Sequence, residues 1–177
     1  MRHVAGFLVD QSSVRLLSRR GLLALCLMSA PGAALATCLP TKVLFVCPAG
    51  TVKSAIAREA LKRRAKRAAL AVEVRSRGLD IEDHVSSELA RRLALDDLDP
   101  KAEPALPFSP ADVAWADLVI AFDEAASAPG LSMARAWRTP SWNSDYDRAK
   151  ADLDQRLDAL LAELAQSRCP SNQTPIR

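Results

Sequence analysis

Residues 42–54 read KVLFVCPAGTVKS, and this stretch decides the fold. Its opening residues, Lys42–Val46, form a short apolar, β-branched run that predicts a buried strand. The proline and glycine that follow predict a loop, and amphipathic periodicity predicts a helix from about Ser54 to Ala69. The stretch therefore predicts a strand–loop–helix unit with Cys47 at the start of the loop.

The rest of the chain continues this alternation of strands and helices. Three further strands are predicted at residues 71–76, 117–122 and 136–139, and three further helices begin at Ser86 or Ser87, at Pro110 and near Asp147. Strands that alternate with helices imply right-handed crossovers and a parallel sheet that is covered on both faces. We therefore expect an α/β fold, a three-layer sandwich around a four-stranded parallel sheet.

Length and composition limit the protein to one compact domain of ordinary globular type. The chain has 177 residues, of which 49% are hydrophobic and 25% are charged. Of its 24 basic and 21 acidic residues, four basic and one acidic lie in the first 36, which leaves 20 of each. Because the body of the chain is formally neutral, we do not expect nucleic-acid binding driven by bulk charge.

The first 36 residues have the organisation of a secretory signal peptide. The sequence SRRGLL at residues 18–23 leads into a short apolar run, and small residues follow at 34–36. Paired arginines followed by leucines resemble a twin-arginine export signal. We expect cleavage after Ala36, a periplasmic or secreted domain at residues 37–177, and no stable membrane anchor after cleavage. A retained anchor and a lipoprotein, with a lipobox-like sequence at 35–38, are the alternatives.

Cys47 is the candidate reactive residue of this body. Ligands of α/β sheets bind at the carboxyl ends of strands, where loops lead into helices. Unpaired backbone N–H groups and the positive end of a helix favour a thiolate and an oxyanion such as phosphate at that position. Lys53, six residues later, adds a cation. A buried structural cysteine is the alternative interpretation.

At this point the sequence resembles a known family. Residues 43–54 resemble the phosphate-binding loop of low-molecular-weight protein-tyrosine phosphatases, in which a cysteine, five residues, an arginine and a serine follow one another. The segments GLDIEDH at 78–84 and SPAD to FDE at 109–124 are similar to later parts of that family. The resemblance covers about residues 41–165. It implies the low-molecular-weight phosphatase type of fold and hydrolysis of phosphate monoesters.

The resemblance also implies roles for the loop residues. Cys47 would attack phosphorus and form a cysteinyl-phosphate that water then cleaves, and Ser54 would hydrogen-bond the thiolate. Main-chain N–H groups of the loop would hold the phosphate oxygens. The implied phosphate-binding residues are Ala49, Gly50, Thr51, Val52, Lys53 and Ser54. No metal or cofactor is expected, the expected partner is a phosphate monoester or phosphoprotein, and the oligomeric state is left open.

The loop and the last helix depart from the family pattern. Lys53 replaces the family arginine and lacks the planar fork that grips two phosphate oxygens, and Pro48 has no N–H to donate. Gly50 stands where the family usually has asparagine, and both residue types tolerate a left-handed backbone. The Asp-Pro pair that supplies the family's general acid is absent from residues 139–147. Asp145, in the same loop, is the best substitute acid.

These departures leave three hypotheses open. The first is an exported phosphate-monoester hydrolase with an altered site, in which Cys47, Lys53 and Asp145 are catalytic. The second is a degenerate module that binds an oxyanion or a phosphoprotein without turnover. Arsenate reduction is the least favoured, because it needs further cysteines near the nucleophile and none lies between Val52 and Arg168.

The remaining cysteines predict one disulfide. After export the chain keeps Cys38, Cys47 and Cys169, and an oxidising compartment permits one pair. In the expected topology the first strand runs towards the Cys47 loop and the last helix runs back from it. Cys38 and Cys169 should then lie together at the other end and form a disulfide. Cys47 is a strand length of roughly 20 Å away, beyond the Cα separation of about 7 Å that a disulfide allows.

Overall fold

A computed structural model describes residues 39–167. The elements, in chain order, are β1 (Thr41–Cys47), α1 (Lys53–Arg67), β2 (Val72–Gly78), α2 (Ser87–Leu95), α3 (Pro110–Trp115), β3 (Leu118–Phe122), a 3-10 helix (Asp123–Ser127), β4 (Arg135–Trp137) and α4 (Tyr146–Gln166). The predicted leader, Cys38 and Cys169 lie outside the described residues. Within residues 39–167, no helix has the length and apolarity that crossing a membrane requires.

The four strands form one parallel sheet in the order β2-β1-β3-β4, which confirms the predicted fold class. The strand β1 is central because it is apolar on both faces: Val43–Val46 are 0% exposed. In the register, Val43 lies opposite Val74 of β2 on one side and Leu118 of β3 on the other. The carboxyl ends of β1 and β3 therefore lie side by side.

Alternate residues of β1 supply the two cores that cover the sheet. Val43 and Phe45 pack with α1, α2 and α4, and the rings of Phe122 and Trp137 lie 6.0 and 5.9 Å from that of Phe45. Leu44 and Val46 face the opposite side, where residues of α3 and the 3-10 helix cover them. Successive side chains of a strand point to opposite faces, so a run without polar residues is buried on both sides. This is the expected three-layer arrangement.

Specific hydrogen bonds account for where α2 begins and where β4 ends. Ser86 is the N-cap of α2, because its side chain accepts the backbone N–H of Leu89 at 3.1 Å. The fourth strand is shorter than predicted and ends at Trp137. The backbone N–H of Thr139 instead donates to the carboxylate of Asp123 at 3.1 Å, so the chain turns towards the end of β3.

Arg58 of α1 is the largest fully buried side chain, with 1% exposure. Its guanidinium donates to Ser76 Oγ of β2 at 2.7 Å and to the carbonyl oxygen of Pro100 at 3.3 Å. Glu59 accepts its Nε–H at 2.7 Å. A buried cation needs such partners to offset its desolvation. Arg58 thus connects α1, the sheet and the long loop that precedes α3.

Candidate active site

The sulfur of Cys47 lies at the carboxyl end of β1, against the first turn of α1. Sγ is 3.0 Å from Ser54 Oγ and accepts the backbone N–H of Gly50 at 3.2 Å. The Ser54 hydroxyl is also within 3.2 Å of the carbonyl oxygen of Arg77. Because this hydroxyl has a single hydrogen, it donates either to that carbonyl or to the sulfur. The pair is buried, with 2% exposure at Cys47 and 0% at Ser54.

The loop after Cys47 is held by its carbonyl groups. The carbonyl oxygens of Cys47, Pro48 and Ala49 accept the backbone N–H groups of Leu79, Asp80 and Glu82 at 3.2, 3.0 and 3.2 Å. Within residues 39–167, a run of N–H groups on the loop and the start of α1 has no hydrogen-bond acceptor. These free donors belong to Ala49, Thr51, Val52, Lys53 and Ser54. The loop thus presents unsatisfied donors next to the sulfur, as a helix N-terminus does for an anion.

Gly50 occupies a crowded left-handed position. Its φ is +74°, the left-handed angle that both glycine and the asparagine usual in the family tolerate. A Cβ at this position would lie 2.9 Å from Gly78 Cα and 2.8 Å from Ile81 Cδ1. The left-handed backbone predicted at this position is therefore present, and crowding adds a second requirement. The backbone angle suits both residues, but the space between the loop and the end of β2 admits only glycine.

The ammonium of Lys53 is held at one wall of the site. It pairs with the carboxylate of Asp123 and donates to the carbonyl oxygen of Thr139 at 3.0 Å. The side chains of Lys53 and Asp123 are 20% and 18% exposed. Asp123 is left-handed, with φ +52°, a costly angle for a non-glycine residue and one often found at functional sites. The three residues connect the Cys47 loop with the chain that follows β4.

Asp123 lies just after the strand predicted at residues 117–122, but the sequence alone assigned it no role in the site. A signal was present, because Asp123 follows the end of a predicted strand of the same parallel sheet as the strand that leads to Cys47. The carboxyl ends of parallel strands meet at one edge of a sheet. Strand order was needed to use that signal, and strand order comes from the tertiary structure.

A cavity of about 400 Å³ opens beside Cys47. Its walls are formed by Cys47, Pro48, Ala49, Val52, Lys53, Leu79, Asp80, Glu82, His84, Asp123, Glu124, Ser141, Trp142 and Asn143. Among the predicted catalytic residues, Cys47 and Lys53 thus line it. Asp145 does not line it; this residue is exposed at the N-cap of α4, where its backbone N–H donates to the Ser141 carbonyl at 2.9 Å. Its catalytic role stays a prediction.

Two hydrogen-bonded segments border the cavity. Thr51 Oγ1 donates to the Glu82 carbonyl at 2.5 Å and accepts the backbone N–H of His84 at 3.2 Å. His84 Nε2 lies 2.5 Å from a carboxylate oxygen of Glu82, and its carbonyl accepts the Asn143 side-chain amide at 2.9 Å. The loop before α4 is therefore tied to the segment that follows β2.

Trp142 continues this border into the core. It is 3% exposed and packs edge-on against Tyr146, with ring centroids 5.4 Å apart. Burial raises the pKa of Tyr146 above its ordinary value, and the hydrogen bond that it donates to Asp96 raises it further. Tyr146 therefore remains a neutral donor that fixes the start of α4 against the end of α2.

The fold and the loop define an α/β protein with a loop suited to an oxyanion at the end of its central strand. The family model described as low molecular weight phosphotyrosine protein phosphatase matches residues 42–156. The chain belongs to this family, which confirms the resemblance found in the sequence. No curated protein sequence matches the chain.

Solved structures of low identity share the fold. A low molecular weight protein tyrosine phosphatase from Bacillus subtilis is 20% identical, with a TM-score of 0.57, and the match covers 72% of this chain and 99% of that one. The tyrosine phosphatase Wzb from Escherichia coli K30, in complex with sulphate, is 20% identical, with a TM-score of 0.56 and coverage of 71% and 99%. An arsenate reductase in its phosphate-binding state is 17% identical, with a TM-score of 0.52 and coverage of 70% and 98%.

Proposed function

We propose that the protein is a protein-tyrosine-phosphatase-like hydrolase of phosphate monoesters that works through a cysteinyl-phosphate. One observation carries this proposal: the Cys47 sulfur lies in the wall of a cavity, beside a loop and helix start where the N–H groups of Ala49 and of residues 51–54 have no acceptor within residues 39–167. A tetrahedral phosphate dianion offers the oxygen acceptors that such donors require.

In the proposed reaction, the Cys47 thiolate attacks phosphorus while the bond from phosphorus to the ester oxygen breaks. The leaving oxygen takes a proton from an acid. Water then attacks the phosphorus of the cysteinyl-phosphate and gives a proton to the now deprotonated acid, the phosphorus–sulfur bond breaks, inorganic phosphate leaves, and the thiolate is restored. Ser54 supports both steps by donating its hydroxyl hydrogen to the sulfur, which lies 3.0 Å away. The loop amides stabilise the charge on the phosphate oxygens throughout.

Asp145 is the proposed general acid. It is exposed, and it lies two residues after Asn143, the last residue of the Ser141–Asn143 segment that lines the cavity. Asp123, although it lines the cavity, is already engaged by the Lys53 ammonium and accepts the backbone N–H of Thr139 at 3.1 Å. For an alkyl phosphate, Asp145→Asn should lower kcat by about 10²-fold. For 4-nitrophenyl phosphate, whose leaving group needs less help, the loss should be smaller.

The Lys53–Asp123 pair supports a second candidate function. An ammonium already neutralised by a carboxylate adds little to the binding of a dianion, and it lacks the arginine fork. The site would then be a degenerate module that binds an oxyanion or a phosphoprotein without turnover. The free amides would account for its binding, and the altered cation for its loss of catalysis.

An aryl phosphate substrate distinguishes the hydrolase from the binding module. Incubation with 4-nitrophenyl phosphate should release phenolate, and Cys47→Ser should abolish that release while phosphate binding persists. Phosphate binding by the unmodified chain without phenolate release, and without even a single-turnover burst, would support the binding module. Ser87→Ala, on an exposed position of α2 whose side chain forms no hydrogen bond within residues 39–167, is the control for handling and folding.

We also propose that residues 1–36 direct export and that the mature protein is periplasmic or secreted. The support is the sequence organisation of that segment. Amino-terminal sequencing of the protein recovered outside the cytoplasm should begin at Thr37. Replacement of Arg19 and Arg20 by lysine should retain the protein in the cytoplasm if the twin-arginine route is used.

A further inference from the structure

The walls of the Cys47 cavity carry more negative than positive charge. Four carboxylates line it, and Lys53 is its only ammonium among the residues that the structure describes. The carboxylates belong to Asp80, Glu82, Asp123 and Glu124. This balance is unusual for a site proposed to receive a phosphate dianion, so the carboxylates need an explanation beyond phosphate binding.

The four carboxylates differ in their hydrogen-bond and ion-pair partners. The carboxylate of Asp123 is ion-paired with Lys53, and its side chain is partly buried in the cavity wall. The other three residues are exposed, and within residues 39–167 the only side-chain partner of Glu82 is the His84 imidazole. Asp80 and Glu124 form no side-chain hydrogen bond or ion pair within residues 39–167. These three exposed residues, Asp80, Glu82 and Glu124, are called the acidic mouth below.

The bottom of the cavity and its acidic mouth therefore favour ligand groups of opposite charge. The free amides are on the β1–α1 loop and the start of α1, beside Cys47, which is 2% exposed, and such donors favour an anion. The acidic mouth is in contact with solvent and faces whatever part of the ligand stays outside. Acidic groups next to the phosphate would be repelled there, whereas lysine or arginine would find the carboxylates of Asp80 and Glu124, which have no side-chain partner within residues 39–167, beside that of Glu82.

We infer that the acidic mouth selects phosphoprotein segments in which basic residues flank the phosphorylated residue, an inference that rests on the proposed function. The carboxylates of Asp80, Glu82 and Glu124 act on the specificity of the reaction and take no part in its chemistry. Exposed ion pairs are individually weak and are screened by salt. The selection therefore comes from three such contacts together and is strongest at low ionic strength.

The test compares two phosphotyrosyl peptides that differ only in their flanks, lysine in one and glutamate in the other. Because the leaving group is identical, any difference in kcat/KM comes from the flanks. With the full chain we expect kcat/KM to be roughly tenfold higher for the lysine peptide at low salt, and the ratio to fall towards one at high salt. The triple variant Asp80→Asn, Glu82→Gln, Glu124→Gln should lose the preference.

The matched control is Glu73→Gln, which removes one exposed carboxylate from β2, in the pair opposite Lys42 at the other end of the sheet. It should keep the preference. If the triple variant is unstable, the double variant Asp80→Asn, Glu124→Gln removes only carboxylates without partners within residues 39–167, and should reduce the preference by about half on a logarithmic scale.

The outcomes separate this inference from the proposed function. Equal or reversed rates for the two peptides, or a preference that survives in the triple variant, would overturn the inference and leave the hydrolase intact. If neither peptide is hydrolysed, the Cys47→Ser protein is titrated with both. Tighter binding of the lysine peptide would then support the inference and refute turnover, and no binding of either peptide would refute both.

Discussion

At position 50 any side chain larger than hydrogen meets backbone atoms. The Cα atoms of Gly50 and Gly78 are in close contact, and each glycine occupies the space that a Cβ of the other would take. The carbonyls of the three residues before Gly50 accept N–H groups of the segment after β2, which fixes this approach. The arrangement that orients the free amides therefore depends on two glycines that face each other.

Gly50→Ala should destabilise the protein by about 3 kcal/mol, because a left-handed alanine costs roughly 1 kcal/mol and backbone crowding adds to it. Gly130→Ala is the matched control: its φ is +83°, but the nearest atom to an added Cβ is 3.9 Å away. We expect it to cost only the backbone penalty. Urea unfolding of both variants measures the difference, and equal losses would show that the loop yields at position 50.

Lys53 is a different case from Gly50. The presence of lysine in place of the family arginine changes the ionic and hydrogen-bonding chemistry of the side chain and leaves packing intact. Its ammonium makes two contacts, with Asp123 and the Thr139 carbonyl, and both lie at the wall of the cavity. A guanidinium has more donors and a fork that can hold Asp123 and a phosphate oxygen together.

Lys53→Arg should therefore raise kcat/KM for 4-nitrophenyl phosphate by about tenfold, equivalent to roughly 1.4 kcal/mol of additional transition-state stabilisation. Steady-state kinetics measure the change, and circular dichroism checks the fold. A well-folded variant with no gain would mean that the cavity is shaped around lysine. Lys101→Arg, on an exposed residue outside the cavity walls, is the control for a general effect of the substitution.

At the scale of elements, local sequence rules predicted helix starts well. Both Ser86 and Ser87 were candidates for the start of α2, and the structure chooses Ser86 because its hydroxyl oxygen is 3.1 Å from the Leu89 N–H. The start of α3 follows the same logic: the Ser109 and Asp112 side chains form a capping box, with proline at the first helical position.

Ser86→Ala should lower the free energy of unfolding by about 1 kcal/mol through loss of the N-cap. The adjacent Ser87→Ala removes the same hydroxyl from a position where it caps nothing, and alanine is the better helix former. It should leave stability unchanged or slightly improved. Thermal unfolding of the pair distinguishes the positions, and equal losses would place the cap elsewhere.

At the scale of the whole molecule, the ends of the described chain leave the sheet at the same edge. Arg135, the first residue of β4, makes two hydrogen bonds of 2.8 Å to Glu163 in the last turns of α4. Because β1 and β4 belong to one parallel sheet, the end of α4 lies at the edge where β1 begins. This supports the topological premise of the proposed Cys38–Cys169 disulfide, whose cysteines lie outside the described residues.

Peptide mass mapping of the exported protein under non-reducing conditions should therefore identify a Cys38–Cys169 link and a free Cys47. Reduction should cost about 2–4 kcal/mol of stability, and the Cys47→Ser protein should show the same loss. A link that includes Cys47 would refute the pairing and would also remove the proposed nucleophile.

The apolar run Lys42–Val46, its loop and the strand–helix alternation were sufficient to predict the sheet class, the elements and a site at Cys47. Hydrophobic periodicity and capping are properties of short segments, so they can be read from the sequence without the tertiary structure. The pairing of Lys53 with Asp123, 70 residues later, and the absence of room at Gly50 depend on strand order and interlayer distance. Such contacts arise only when distant segments pack together, and tertiary structure alone decided them.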